Sequence, residues 1–203
     1  MNAAPDANGA LKVSLGDVVL QIDRCASTAI SPTVSHCSGD TYLRVTQGGK
    51  SQSVMVTSLY IDRDATFYRG PLDASYKQNG HSIVMTDVDG DGLDDLILWT
   101  GKEGAYGGPS YDVLLMSKED GQYYASPALS ELTVGANGLF SIEKGRLTLS
   151  SSDGCCMRVF DTYELDNGEP TLVERRTEET KEGTKDVTVK TERLINGTMQ
   201  EVK

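Results

Sequence analysis

Short apolar runs separated by tight-turn signals constrain this chain more than any other feature. Leu11-Lys12-Val13-Ser14-Leu15 alternates apolar and polar residues, the period of a half-buried strand, and Val18-Val19-Leu20-Gln21-Ile22 follows as a buried one. Tyr42–Val45 and Val54–Val56 flank Gln47-Gly48-Gly49-Lys50, a hairpin signal. The same grammar recurs at Glu119-Asp120-Gly121, Glu143-Lys144-Gly145, Asp166-Asn167-Gly168 and Asn196-Gly197, each between β-forming runs. This is a meander of hairpins, and it predicts an all-β sandwich, barrel or propeller. One short helix fits, around Ser126–Leu132. The charged, threonine-rich run Glu174–Lys185 reads as a solvated hairpin or loop. No internal repeat is evident.

A chain of 203 residues suits one domain, here expected over residues 11–203 after a flexible segment 1–10. No run of about 18 apolar residues occurs, so no transmembrane helix is predicted. The net charge of −11 repels phosphate backbones and argues against nucleic acid; it favours cations or basic partners. The N-terminus lacks a basic and an apolar leader region and reads as the start of a mature exported protein. The four cysteines, Cys25, Cys37, Cys155 and Cys156, suit an oxidising compartment. They allow three pairings. The local one, Cys25–Cys37 with a vicinal Cys155–Cys156, is preferred; cross-pairing of the two groups and four reduced, buried thiols are the alternatives. His36 and His81 are the only histidines, and zinc-ligand spacing is absent.

One turn carries chemistry. Asp87-Val88-Asp89-Gly90-Asp91-Gly92-Leu93-Asp94-Asp95 has the spacing D-x-D-x-D-G-x-x-D. Asp87, Asp89 and Asp91 alternate through a tight loop, so their carboxylates can converge. Gly92 permits the sharp turn. The Leu93 carbonyl and Asp95 would complete an all-oxygen set suited to Ca2+. Without a cation, carboxylates this close repel. The loop departs from an EF-hand: its twelfth position is Leu98 where that motif has glutamate, and Leu96-Ile97-Leu98-Trp99 continues as a strand.

Next comes Gly101-Lys102-Glu103-Gly104-Ala105-Tyr106-Gly107-Gly108-Pro109-Ser110-Tyr111-Asp112. Four glycines and a proline exclude a helix or a central strand and predict a projecting loop. A tyrosine on such a loop is an efficient binding anchor, because it presents a large amphipathic surface at low entropic cost. Tyr106 is placed for that role. Tyr111 begins an apolar strand, and its ring can equally be core.

The string DVDGDGLDDLILWTGKEGAYGGPSYDVLLM, then SPALSEL and SSDGCCMRVFDTYEL, resembles a family of bacterial envelope proteins. Its founding member is an immunity lipoprotein of a bacteria-killing type IV secretion system that inhibits a lysozyme-like, peptidoglycan-cleaving effector. The resemblance spans roughly Ser82 to Thr180. It implies an irregular β-propeller-like, VCBS/FG-GAP-like all-β fold with bound calcium. The implied function is that of a periplasmic, non-enzymatic inhibitor of a basic cell-wall hydrolase effector. It carries the calcium ligands onto Asp87, Asp89, Asp91, Leu93 and Asp95. The partner-binding loop falls on Gly104–Tyr111 with its neighbour Glu103, so Glu103, Tyr106, Gly107, Ser110 and Tyr111 are the expected contact residues. Because the aspartate loop lies just before the tyrosine loop in sequence, calcium is expected to fix the base of the binding loop.

Two competing readings exist. A carbohydrate- or surface-binding module would use the calcium loop directly, but aromatic content is 6% and Trp99 is the only tryptophan. An enzyme needs a positioned base. His36 is expected in a loop between Ser35 and Cys37, and His81 follows the turn signal Asn79-Gly80; neither is placed to serve as that base. Asp62 and Asp64 lack the glycine and third ligand of a second cation site, and read as a solvated turn.

Overall fold

The computed structural model describes residues 2, 3, 6, 10–23, 25–73, 76, 80–181 and 183–202. The turn signal at Asn79 and residues 1, 4, 5 and 7–9 of the N-terminal segment lie outside the described residues. Among the described residues the architecture is all-β, with three successive sheets and one short α-helix.

The first sheet holds β1 (Leu11–Leu15), β2 (Val18–Ile22), β3 (Ala26–Ala29), β4 (Val34–Gln47) and β5 (Lys50–Asp62). The second holds β6 (Phe67–Arg69), β7 (Ile83–Thr86), β8 (Asp95–Gly101), β9 (Ser110–Met116) and β10 (Tyr123–Ala125), antiparallel except for the β6–β7 pair. The helix α1 (Pro127–Glu131) leads to the third. That sheet meanders through β11 (Ser141–Glu143), β12 (Arg146–Asp153), β13 (Met157–Asp166), β14 (Glu169–Thr180), β15 (Val187–Ile195) and β16 (Thr198–Val202).

The second sheet is the centre of the molecule because both its faces are apolar. Side chains alternate across a strand. Ile83, Met85, Leu96, Leu98 and Leu114 therefore point one way, into a core shared with Leu20, Leu43, Val45, Leu59 and Ile61 of the first sheet. Val84, Ile97 and Val113 point the other way, against Leu129 of α1 and Phe140, Leu147 and Leu149. A strand buried on both faces needs a continuous apolar run, which is what Leu96-Ile97-Leu98 supplies.

The hairpin turns form where the sequence signals them. Lys144-Gly145, Asn167-Gly168 and Asn196-Gly197 each place two consecutive residues at positive φ, the conformation whose twist suits a two-residue hairpin. The helix starts as its sequence dictates: Pro127 opens it and the Ser126 side chain accepts from the Leu129 amide. Glu174–Thr180 lies in β14 and pairs with β15, so the run is the first arm of a hairpin that begins at the Thr180–Val187 pair. Its charges pair across strands, as in Arg193–Glu174 and Arg175–Asp161, both at 2.7 Å.

One expectation changes. His36 lies in a strand, not a loop: β4 extends back to Val34, and Ser35–Ser38 is paired by β3 on one edge and β5 on the other. That stretch has no apolar alternation, so its strand character comes from its neighbours' hydrogen bonds. The short strand β3, Ala26–Ala29, carries no sequence signal for the same reason. The cysteines pair locally, Cys25–Cys37 and Cys155–Cys156. No helix among the described residues is long and apolar enough to cross a membrane.

Candidate functional site

The aspartate loop joins β7 to β8, and its carboxylates organise it. Asp87 Oδ1 accepts from the amides of Gly90 (2.8 Å) and Asp91 (3.0 Å), and its Oδ2 from Gly92 (3.0 Å). Asp89 Oδ1 accepts from the Asp91 amide at 3.1 Å. Asp95 opens β8 fully buried, its two oxygens accepting from the amides of Val88 (2.7 Å) and Met116 (2.8 Å). It thereby ties the loop to the end of β9.

Asp87, Asp89 and Asp95 each place one oxygen within 4.8 Å of the other two, so this trio can hold a metal ion. Asp91 stands apart from the trio: its Oδ1 accepts from the half-buried Leu93 amide at 2.8 Å and its Oδ2 lies 3.7 Å from Lys118 Nζ. Asp94 turns away to Arg69, which also holds Asp17 at 2.7 Å and so straps the first sheet to the second.

The electrostatics of the trio fit a hard divalent cation. Burial first, and then the charges of Asp89 and Asp91, push the Asp95 carboxyl up to about 7. Burial, then the charge of Asp91, raises Asp89 as well. These are carboxylates that cost free energy to ionise together. A cation offering positive charge to oxygen-only donors removes that cost.

The tyrosine loop joins β8 to β9. Its backbone closes on itself: the Gly104 amide donates to Gly108 O (3.1 Å) and the Gly108 amide to Ala105 O (3.0 Å). Gly104 is buried, and a Cβ added there would stand 2.6 Å from Pro109 O, so no larger residue fits. Two further bonds pin the loop to the segment after α1: the Ala105 amide donates to Ala136 O and the Gly135 amide to Glu103 O, both at 2.8 Å. The Ser110 hydroxyl donates to the Glu103 carboxylate and holds it below the usual carboxylate range.

At the tip is a 3-10 turn, Ala105–Gly107, in which Tyr106 adopts φ 55°, ψ 30°. A bulky side chain rarely occupies this left-handed region. The ring is 79% exposed, yet its hydroxyl donates to Gly154 O at 2.9 Å, on the β12–β13 turn. Glu103 and Gly107 are exposed beside it. Ser110 and Tyr111, expected as contact residues, are 5% and 3% exposed. Their burial gives them a different place: Tyr111 packs in the core beside Ile97 and Val113, and Ser110 anchors Glu103 from beneath.

The aspartate and tyrosine loops lie at opposite ends of β8. Seven extended residues, Asp95–Gly101, separate them by about 20 Å. The expectation that the cation loop forms the base of the binding loop is therefore corrected. The tyrosine loop is held by residues 135–136 and by the β12–β13 turn.

Both histidines are accounted for. His36 stacks on Tyr60 (4.4 Å), and Tyr60 on Trp99 (5.1 Å), in a row that no sequence periodicity announces. His36 Nε2 lies 2.9 Å from Ser58 Oγ, and that hydroxyl donates to Thr100 O at 2.6 Å, so Nε2 donates to the hydroxyl and does not take its proton. His81 Nδ1 meets the Tyr76 hydroxyl at 3.1 Å, and burial lowers its pKa.

Among solved structures, the chain is similar to a Xanthomonas type IV secretion system related protein. The two share 43% identity and a TM-score of 0.93, over 100% of this chain and 97% of that one. No protein-family model and no curated protein matches the chain.

Proposed function

Because the chain belongs to the family of that Xanthomonas type IV secretion system related protein, we propose that it has a secretion-associated role in the bacterial envelope. In this reading it is a periplasmic, non-catalytic immunity protein that binds and blocks a peptidoglycan-cleaving, lysozyme-like effector. Tyr106 carries the proposal: a glycine-rich loop closed by its own backbone bonds keeps a large ring exposed in a conformation that tyrosine seldom adopts. A pre-ordered aromatic anchor loses little entropy on binding. Glu103 and Gly107 flank it on the same exposed loop. The net charge of −11 steers the chain toward a basic enzyme that works on an anionic wall.

The cation proposed for the aspartate loop is calcium, held by Asp87, Asp89 and Asp95, with the Leu93 carbonyl as a further oxygen of the same loop; Asp91, turned to the Leu93 amide and Lys118, adds negative charge beside them. When bound it supplies the charge that lets these carboxylates ionise together, a structural role. Mixing the purified protein with a lysozyme-like hydrolase of an envelope-targeting secretion system tests the proposal. A stoichiometric complex by size-exclusion chromatography and loss of cell-wall lysis are expected. If such hydrolases neither bind nor lose activity, the inhibitor reading is wrong.

A further inference from the structure

The vicinal disulfide lies where its effect on stability is least and its access to Tyr106 greatest. A bridge between adjacent residues closes almost no chain loop, so it removes little entropy from the unfolded chain. Cys25–Cys37, by contrast, spans 12 positions and is buried in the core at 6% and 1% exposure. Cys155 is exposed, at the tip of the β12–β13 hairpin. The two peptide carbonyls that flank the bridge are both used. Gly154 O, just before it, accepts from the Tyr106 hydroxyl at 2.9 Å, and Cys156 O accepts from the Thr180 amide of β14 at 2.8 Å. The closed ring thus fixes the turn between β14 on one side and the tyrosine loop on the other.

The same hairpin supports the loop from below. Ala136, which receives the Ala105 amide, bridges to Ser151 of β12, and the Asn137 side chain donates to Ser152 Oγ at 2.9 Å. Loop, residues 135–137 and hairpin tip form one continuous braced surface.

We propose that the Cys155–Cys156 turn is the second half of the partner-binding face, holding Tyr106 in its binding orientation, and that reduction of this disulfide by a dithiol weakens the interaction. The inference rests on Tyr106 being the partner contact. The step is a two-electron exchange: the Cys155–Cys156 sulfur–sulfur bond breaks and both sulfurs become thiols. The dithiol gives up two electrons and two protons and closes to its own disulfide. Exposure directs the reductant to this bridge, because the buried Cys25–Cys37 pair is shielded.

The test places fluorotyrosine at position 106 of the full chain and records its fluorine resonance before and after dithiothreitol. A Cys155→Ser, Cys156→Ser double variant serves as the reductant-free equivalent. Opening the bridge is expected to narrow the resonance and move it toward that of free tyrosine, with the melting temperature unchanged. Affinity for the hydrolase should fall about fivefold, the change one lost neutral hydrogen bond produces. An unchanged fluorine resonance in both the reduced protein and the double variant overturns the inference. The inhibitor reading fails separately: if the oxidised protein does not inhibit, that reading is lost, while the resonance still decides whether the bridge holds Tyr106.

Discussion

β8 carries a loop at each end, and the two are built on opposite principles. At its start, charged side chains turn inward and satisfy the amides of their own loop, with Asp95 buried among them. At its far end, neutral backbone bonds hold the loop and the notable side chain, Tyr106, turns outward. The first loop is electrostatically costly without a cation. The second contains no such cost: its charged bond, from the Ser110 hydroxyl to the Glu103 carboxylate, favours ionisation, and the bonds that close the loop are neutral. On the proposed function, stability and recognition are separable along one strand, and perturbing each end alone tests that separation.

The largest effect belongs to Asp95→Ala. It strands the amides of Val88 and Met116, each unsatisfied buried group costing about 1–3 kcal/mol. Chemical denaturation should show a loss of about 3 kcal/mol or more, while protein that remains folded still inhibits. A variant as stable as the parent would remove Asp95 from the role of brace.

Cation and pH act on the same end. Calcium at a hundredfold excess over its Kd should add about 2.7 kcal/mol, read as a higher melting temperature that a chelator reverses. Without a cation, Asp95 titrates near 7 when folded and near 3.8 when unfolded. The folded state then holds the extra proton between these values, so stability should fall as pH rises from about 4 to about 7. Calcium should offset that fall. If chelation abolished partner binding and left the melting curve unmoved, the two ends would not be separable as described.

Tyr106→Ala probes the other end. Truncating a central aromatic anchor should cost about 2 kcal/mol of binding, roughly a thirtyfold rise in Kd by titration calorimetry. The melting temperature should hold, because the ring is already 79% exposed. Equal inhibition by parent and variant would move the contact elsewhere. The smallest effect is expected for Arg69→Met, which removes the strap between Asp17 and Asp94. About 1 kcal/mol of stability should be lost in urea melts, since the pairs are partly solvated. A change in inhibition there would contradict the division of labour.

Much of the fold is legible in the sequence where the signal is local. Asn167-Gly168 and Asn196-Gly197 mark hairpins because both positions of such a turn need positive φ. Ser126-Pro127 marks the helix start because the hydroxyl caps and the proline ring is already helical in φ. Strand β3 and the first half of β4 are invisible, since Ser27, Ser35 and His36 have no apolar pattern and become strand only through pairing. The site divides the same way. Aspartates at alternate positions are readable as a converging set, but the diversion of Asp91 to Lys118 and of Asp94 to Arg69 depends on residues more than twenty positions away. Tyr106 is readable as a loop-tip aromatic; its bond to Gly154, 48 residues later, is not.

The sequence by itself determined the chemistry of each loop: carboxylates and Gly92 in one, glycines, Pro109 and Tyr106 in the other. Both follow from short-range sterics and charge, which act within a few residues. Only the tertiary structure decided how the loops stand to each other. Asp95–Gly101 is extended, so neighbours in sequence become opposite poles in space. The support of Tyr106 comes instead from residues 135–136 and the Cys155–Cys156 turn, brought to it by the packing of the third sheet against the second.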